Sequence, residues 1–386
     1  MKTFKISLLP RIVIAIILGV VCGIFFPEWA VRCFVTFNSV FSHFLSFLIP
    51  LIIVGLVTPA IADIGKGAGK LLFITALIAY GDTVFSGYLS YFVSTGIFPS
   101  LIDRGQAAQA VATAAELEPF FTIEIPPLLD VMSALISAFV LGLGISFFES
   151  TRLKECFDEF RDIIAKTIEV ALIPILPLYI FSIFLNMSYS GQAWHIINVF
   201  VAIIGVIFVM HILLLVFQYC VAGLIAGRNP LRALYNMLPA YFTALGTSSS
   251  AATIPVTLKQ VKKNGVSDGI AGFVVPLCAT IHLSGSAMKI TACAVALLIM
   301  QGGSIDIGLF TGFILMLGVM MVAAPGVPGG AIMAALGVLQ SILGFTAEQQ
   351  AVMIALYITM DSFGTACNVT GDGAIALVVD RIYNKK

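Results

Sequence analysis

Two apolar runs of this 386-residue chain are interrupted, well inside their length, by stretches with the chemistry of ion ligation. The first is His282-Leu283-Ser284-Gly285-Ser286 and the second is Asn368-Val369-Thr370-Gly371-Asp372. In lipid every backbone N–H and C=O has to be satisfied within the protein, so an apolar helix broken at mid-membrane must line a cavity. Carbonyls and a carboxylate freed at such breaks are how secondary transporters build ion and substrate sites. Composition fits a membrane solvent: 60% of residues are hydrophobic and 10% charged, far outside soluble usage. The length supports roughly eight spans of about 20 residues, plus hairpins.

Apolar runs place spans near 10–26, 40–62, 69–98, 127–148, 161–187, 195–226, 268–300 and 347–380. The run after Met1-Lys2-Thr3-Phe4-Lys5 lacks a clean small-residue cleavage site and is read as the first span rather than a signal peptide. Two further stretches, 234–258 and 308–345, are split by Gly246-Thr247-Ser248-Ser249-Ser250 and by Pro325-Gly326-Val327-Pro328-Gly329-Gly330. Their arms are short for spans and suit re-entrant helical hairpins with tips inside the protein. A hairpin followed by a broken helix therefore occurs twice in the C-terminal half, which points to inverted repeats around a midplane site. The plainer alternative is that Gly and Pro only kink ordinary helices.

All of the 20 Lys and Arg residues except Arg32, Arg104 and Lys289 fall on one side of this topology. The positive-inside rule then puts both termini in the cytoplasm. The net charge of zero gives no basis for a nucleic-acid partner. The loop at 99–126 carries Asp103, Arg104, Glu116, Glu118 and Glu124 without the look of a site. The seven Cys residues show no metal-ligand spacing and read as buried, inert thiols.

Ionisable residues within spans are costly and therefore functional candidates. Four stand out: Asp82, Lys289, Asp361 and Asp372. Asp372 closes a segment whose carboxylate, Asn amide and unwound carbonyls suit a hard cation such as sodium, although a helix cap is the alternative. Asp361 lies on nearly the same helical face and suits a substrate ammonium, or else a polar helix–helix contact. Ser248, Ser249 and Ser250 offer hydroxyls and helix-terminal N–H groups to a carboxylate. His282 can act by its carbonyl, by its ring, or as a satisfied polar residue. His43, His195 and His211 carry no visible partner pattern. An intramembrane aspartyl protease is excluded, since Asp361 and Asp372 stand about 16 Å apart along a continuous helix. A passive channel or sensor is the remaining competing class.

At these residues the chain resembles the dicarboxylate/amino acid:cation symporter family, that of the glutamate and aspartate transporters and their archaeal homologues. The resemblance rests on four segments in the family's order: Gly246 to Thr257 (GTSSSAATIPVT), Pro276 to Ile281 (PLCATI), Gly326 to Met333 (GVPGGAIM) and Asn368 to Asp372 (NVTGD). It implies an all-α polytopic membrane protein with about eight transmembrane helices plus two re-entrant helical hairpins, in the elevator-type fold with inverted repeats. It further implies a homotrimer embedded in lipid. Scaffold spans would occupy 1–68 and 99–190, span 3 of the transport domain 69–98, and the rest of that domain 191–386. The setting would be a bacterial inner membrane.

Departures from the family pattern are informative. The family's Asn-Met-Asp-Gly-Thr reads His282 to Ser286 here, so Ser284 removes the carboxylate of one deep sodium site. Ile78 and Ala79 remove its hydroxyls. The resemblance retains Asn368 and Asp372 for a second sodium, with carbonyls of Cys278 and His282, and Thr280 for a further one. Asp82 and Lys289 lie near the lost site, as a salt bridge replacing the ion or with Asp82 as a proton carrier. Positions where acidic-substrate members place an Arg hold Gly364 and Ser248, and Tyr357 stands where an Asp supports it. Burying a second substrate carboxylate without a guanidinium is strongly unfavourable. The expected substrate is thus a neutral amino acid, held by Ser249, Ser250, Ser286, Val327, Asp361, Gly364, Thr365 and Asn368. Sodium is the expected coupling ion, with proton coupling of an amino acid or small monocarboxylate through Asp82 or Asp361 as the alternative. The chain is expected to be a carrier and not an enzyme.

Overall fold

The computed structural model describes residues 8–65, 70–102, 117–148, 151–191, 193–303, 305–324 and 328–384, and every regular element among them is a helix. Val327 and residues 103–116 of the 99–126 loop lie outside the described residues. In chain order the helices are α1 (Leu8–Phe25), α2 (Glu28–Gly65), α3 (Lys70–Leu101), α4 (Val131–Phe147), α5 (Thr151–Thr167), α6 (Ile173–Tyr189) and α7 (Ala193–Ala226). There follow α8 (Pro230–Thr247), α9 (Ser250–Lys263), α10 (Asp268–Ile281), α11 (Ser284–Met300), α12 (Ile307–Ala323), α13 (Gly330–Ser341), α14 (Ala347–Thr359) and α15 (Asp361–Tyr383). Among the described residues, five stretches are long and apolar enough to cross a membrane, or six when the bent pair α14–α15 counts as one span. The chain is a multi-pass membrane protein. Apolar helices α1 and α4 fall just short of that length, at 18 and 17 residues.

Helices α1, α2, α4, α5 and α6 pack chiefly on one another, α3 and α7 to α10 gather around α15 and α11, and α12 and α13 pack on each other and on α2, α12 also on α3. Lipid supplies no hydrophobic drive between helices, so close approach at small residues has to do that work. On α1, Gly19 and Gly23 provide it: a Cβ on Gly19 would lie 2.6 Å from the Phe181 carbonyl, and one on Gly23 would lie 2.5 Å from Ser188 Cβ. The Ser188 hydroxyl donates to the Val20 carbonyl at 2.7 Å across the same seam. Helix α3 turns Ala76, Ala79, Thr83, Ser86, Gly87 and Ser90 inward at helical spacing. Ser86 and Ser90 each donate to an α11 carbonyl at 2.8 Å, those of Ser284 and Met288. Helix α11 is buried almost throughout, as befits a central element.

The Ser248 tip is where the sequence places it. Ser248 is left-handed (φ 50°) at the end of α8, and Ser249 caps α9 by accepting the Ala252 N–H. The His282 break is also present, with extended backbone at His282 between α10 and α11. The second expected break is not. Helix α15 runs unbroken through Asn368–Asp372, and the chain instead bends by 63° at Met360. The glycines there serve contact rather than unwinding: a Cβ on Gly371 would lie 2.8 Å from His282 Cε1, and one on Gly373 2.5 Å from Tyr219 Oη. The expected 161–187 span is likewise extended, since α5 enters α6 through a single π turn, Ile168–Leu172. All seven cysteines are free, but Cys33 and Cys156 are exposed rather than buried.

Candidate substrate and ion site

Four chain discontinuities meet in one place: the Ser248 tip, the His282 break, the left-handed Gly329 before α13, and the Met360 bend. Between them lies a small polar cavity of about 30 Å³, lined among others by Ser250, Thr280, Ser286, Asp361, Thr365 and Asn368. None of its described lining residues is basic. Ser250 and Ala331 bring the N-termini of α9 and α13 to the wall. The first amides of a helix have no partner within it and favour negative charge.

Asn368 ties α15 to α11. Its Oδ1 accepts the Gly285 N–H at 2.8 Å and its Nδ2 donates to Ser286 Oγ at 3.2 Å, which lies 2.9 Å from Tyr357 Oη. Gly285 is required for this approach, because its Cβ would fall 2.8 Å from the Gly364 carbonyl. Asp361 opens α15 at the bend. Its Oδ2 accepts the Gly329 N–H at 3.1 Å, and its Oδ1 stands 3.6 Å from Lys289 Nζ. The Lys289 ammonium also donates to the Met360 carbonyl at 3.2 Å and sits 3.8 Å from the Tyr357 ring centroid. Gly364 lies directly under the lysine, leaving no space for a side chain.

A second cluster lies deeper. The His282 ring bridges two carboxylates, with Nε2 2.8 Å from Asp82 Oδ2 and Nδ1 2.8 Å from Asp372 Oδ1. Gln218 on α7 donates to the same Asp82 oxygen at 2.6 Å and to Ser284 Oγ at 3.2 Å. The ring takes up one oxygen of each carboxylate. The expected Asp82–Lys289 salt bridge is therefore not formed. Asp82 faces the His282 break from α3, whereas the Lys289 stem leads over Gly364 to the α15 N-terminus, and each charge finds a nearer partner.

The remaining expected residues divide. Ser250, Ser286, Asp361, Thr365 and Asn368 converge on the cavity; Ser249 is spent on capping, and Gly364 packs against Lys289. Of the expected sodium ligands, Thr280 lines the cavity, Asp372 is bound to His282, and the Cys278 carbonyl accepts the His282 N–H at 2.9 Å. Gln218 and His211 were not singled out from the sequence. His211 Nε2 lies 3.1 Å from the Gly285 carbonyl. Their signal was available: two polar residues seven apart in the apolar run of α7 share one helical face.

Residues 8–382 match the model of the sodium:dicarboxylate symporter family. The serine/threonine transporter SstT of Acinetobacter baylyi is 27% identical over 98% of either chain. SstT of Acinetobacter baumannii is 25% identical over 97% of either. Excitatory amino acid transporter 3 of the mouse is 32% identical over 164 residues, 42% of this chain and 31% of its own length.

Proposed function

The chain belongs to the sodium:dicarboxylate symporter family, and on that premise we propose that it carries a small neutral amino acid into a bacterial cell together with a cation, sodium in the first instance. It is a transporter and not an enzyme. The observation that carries the substrate reading is the cavity itself. Asp361 offers a carboxylate to an ammonium, the N-termini of α9 and α13 offer amides to a carboxylate, and no basic side chain waits for a second carboxylate. Thr365, Asn368 and Ser286 supply neutral hydrogen-bonding groups around these ends. The names of the full-length relatives, serine/threonine transporters, agree with a small neutral side chain.

In this reading α8–α9 and α12–α13 are the two re-entrant hairpins, and about eight spans complete the topology with both termini cytoplasmic. Helices α1, α2, α4, α5 and α6 form the scaffold of a homotrimer. The rest moves across the membrane as an elevator, with the α12–α13 tip closing over the substrate; the Gly329 N–H on Asp361 is the contact that closure makes. Thr280 and Asn368, which line the cavity, are the proposed cation ligands there; Asp372 and the carbonyls of Cys278 and His282 would join a cation site only with the His282 ring displaced.

Uptake of labelled serine, threonine and alanine into proteoliposomes tests this. Accumulation driven by a sodium gradient is expected. A passive leak that never exceeds equilibrium would refute a carrier. Accumulation driven by a pH gradient without sodium would replace sodium by the proton, with Asp82 or Asp361 as its carrier.

A further inference from the structure

Lys289 has no task in the reading above. A lysine with no exposed surface, inside a membrane protein, is costly unless its charge is met. Here it is met from three sides, by the Met360 carbonyl, the Tyr357 ring and Asp361 Oδ1. Its stem arrives over Gly364, where any Cβ would collide with its Cε and Nζ. The carboxylate that looks into the cavity therefore carries a counter-charge on the side away from the cavity.

This changes what the cavity demands of a ligand. A bare buried carboxylate would require a ligand ammonium and repel a ligand lacking one, because one unmatched charge of a buried pair is strongly unfavourable. With Lys289 behind it, Asp361 is already matched. An ammonium still finds free acceptor sites on it, since an ionised carboxylate offers about four, but gains less by binding. A ligand bearing only a carboxylate meets a wall with no net negative charge, and the amides opening α9 and α13 favour it.

We propose, resting on the reading of this cavity as the substrate site, that Lys289 is a specificity-determining residue that frees the cavity from requiring an amino group. The site then takes small 2-hydroxy monocarboxylates as well as neutral amino acids.

The test is equilibrium binding to the purified full chain of two matched pairs, L-alanine with L-lactate and L-serine with glycerate, each differing by exchange of an amino for a hydroxyl group. In the unmodified protein the hydroxy acid is expected to bind within about tenfold of its amino counterpart. In Lys289→Met the ratio of hydroxy-acid to amino-acid affinity is expected to fall by about a hundredfold or more, as one buried charge loses its match. Should that variant not fold, Lys289→Met with Asp361→Asn removes both charges together and is expected to move the ratio toward the hydroxy acid. If the unmodified protein binds an amino acid but rejects its hydroxy counterpart by more than about a hundredfold, the role of Lys289 is overturned while the amino-acid reading stands. Hydroxy acids binding where no amino acid does would sustain Lys289 and refute the amino-acid reading. Binding of neither class, or a ratio unmoved in Lys289→Met, overturns the proposal.

Discussion

The two buried charge clusters of this protein use the same helix, α15, at points three turns apart, and they differ in what they leave available. At the deeper point Asp372 is closed off: it is 1% exposed and bound to a His282 ring that is itself 0% exposed and held on its other side by Asp82. At the upper point Asp361 is shared. Lys289 and the Gly329 N–H take its two oxygens from the protein side, yet it remains in the cavity wall. The deeper cluster holds α3, α10 and α15 together, and the upper one holds the same helix open to a ligand. A carboxylate on this helix is thus available for binding only where the protein leaves one of its faces uncommitted.

Removing the centre of the closed cluster should have the largest effect. His282→Ala sets Asp82 and Asp372 against each other without a bridge, and a melt in detergent is expected to show about 3–5 kcal/mol of lost stability. A loss no greater than that of a surface substitution would mean that the ring is not the bridge. Next comes the open cluster: Asp361→Ala should abolish amino-acid binding and leave Lys289 unmatched. A double-mutant cycle sharpens the contrast. Lys289→Met and Asp361→Asn should couple by about 0.5–3 kcal/mol, whereas Lys289→Met and Asp82→Asn should add to within about 0.5 kcal/mol. Strong coupling of the second pair would restore the salt bridge expected from sequence. Gly364→Ala presses a methyl on to Lys289 and should cost about 1–3 kcal/mol, with substrate affinity shifted because Asp361 loses its neighbour. Smallest is Ser90→Ala, which deletes one α3–α11 hydrogen bond. It should cost about 0.6 kcal/mol without touching binding.

Much of this arrangement was legible in the sequence where local chemistry and position coincide. The Ser248 tip joins residues that favour caps to arms too short to span, and the His282 break puts a His and a Ser-Gly-Ser run within an apolar helix. Ser250 and Ser286 followed from those landmarks, Asp361 from its charge within an apolar run, Asn368 from its motif, and Thr365 from the family resemblance. What could not be read was the pairing of charges, because it depends on how α3, α11 and α15 are rotated against one another, and rotation leaves no trace in spacing. Asp82, His282, Lys289, Asp361 and Asp372 come from three separate runs, and the sequence alone allowed Lys289 to face Asp82. Asn368–Asp372 misled for a related reason. Gly371 read as a place to unwind, yet it lets His282 approach an intact helix, as Gly373 beside it does for Tyr219.

A cavity that binds a small neutral amino acid, with no basic residue in its described lining for a second carboxylate, should discriminate sharply between serine and aspartate. Equilibrium binding of labelled serine and labelled aspartate to the purified protein, in sodium and in choline, tests it most directly. Serine is expected to bind, more tightly in sodium, and aspartate to bind at least about a hundredfold more weakly. Aspartate binding as tightly as serine or tighter would contradict the claim.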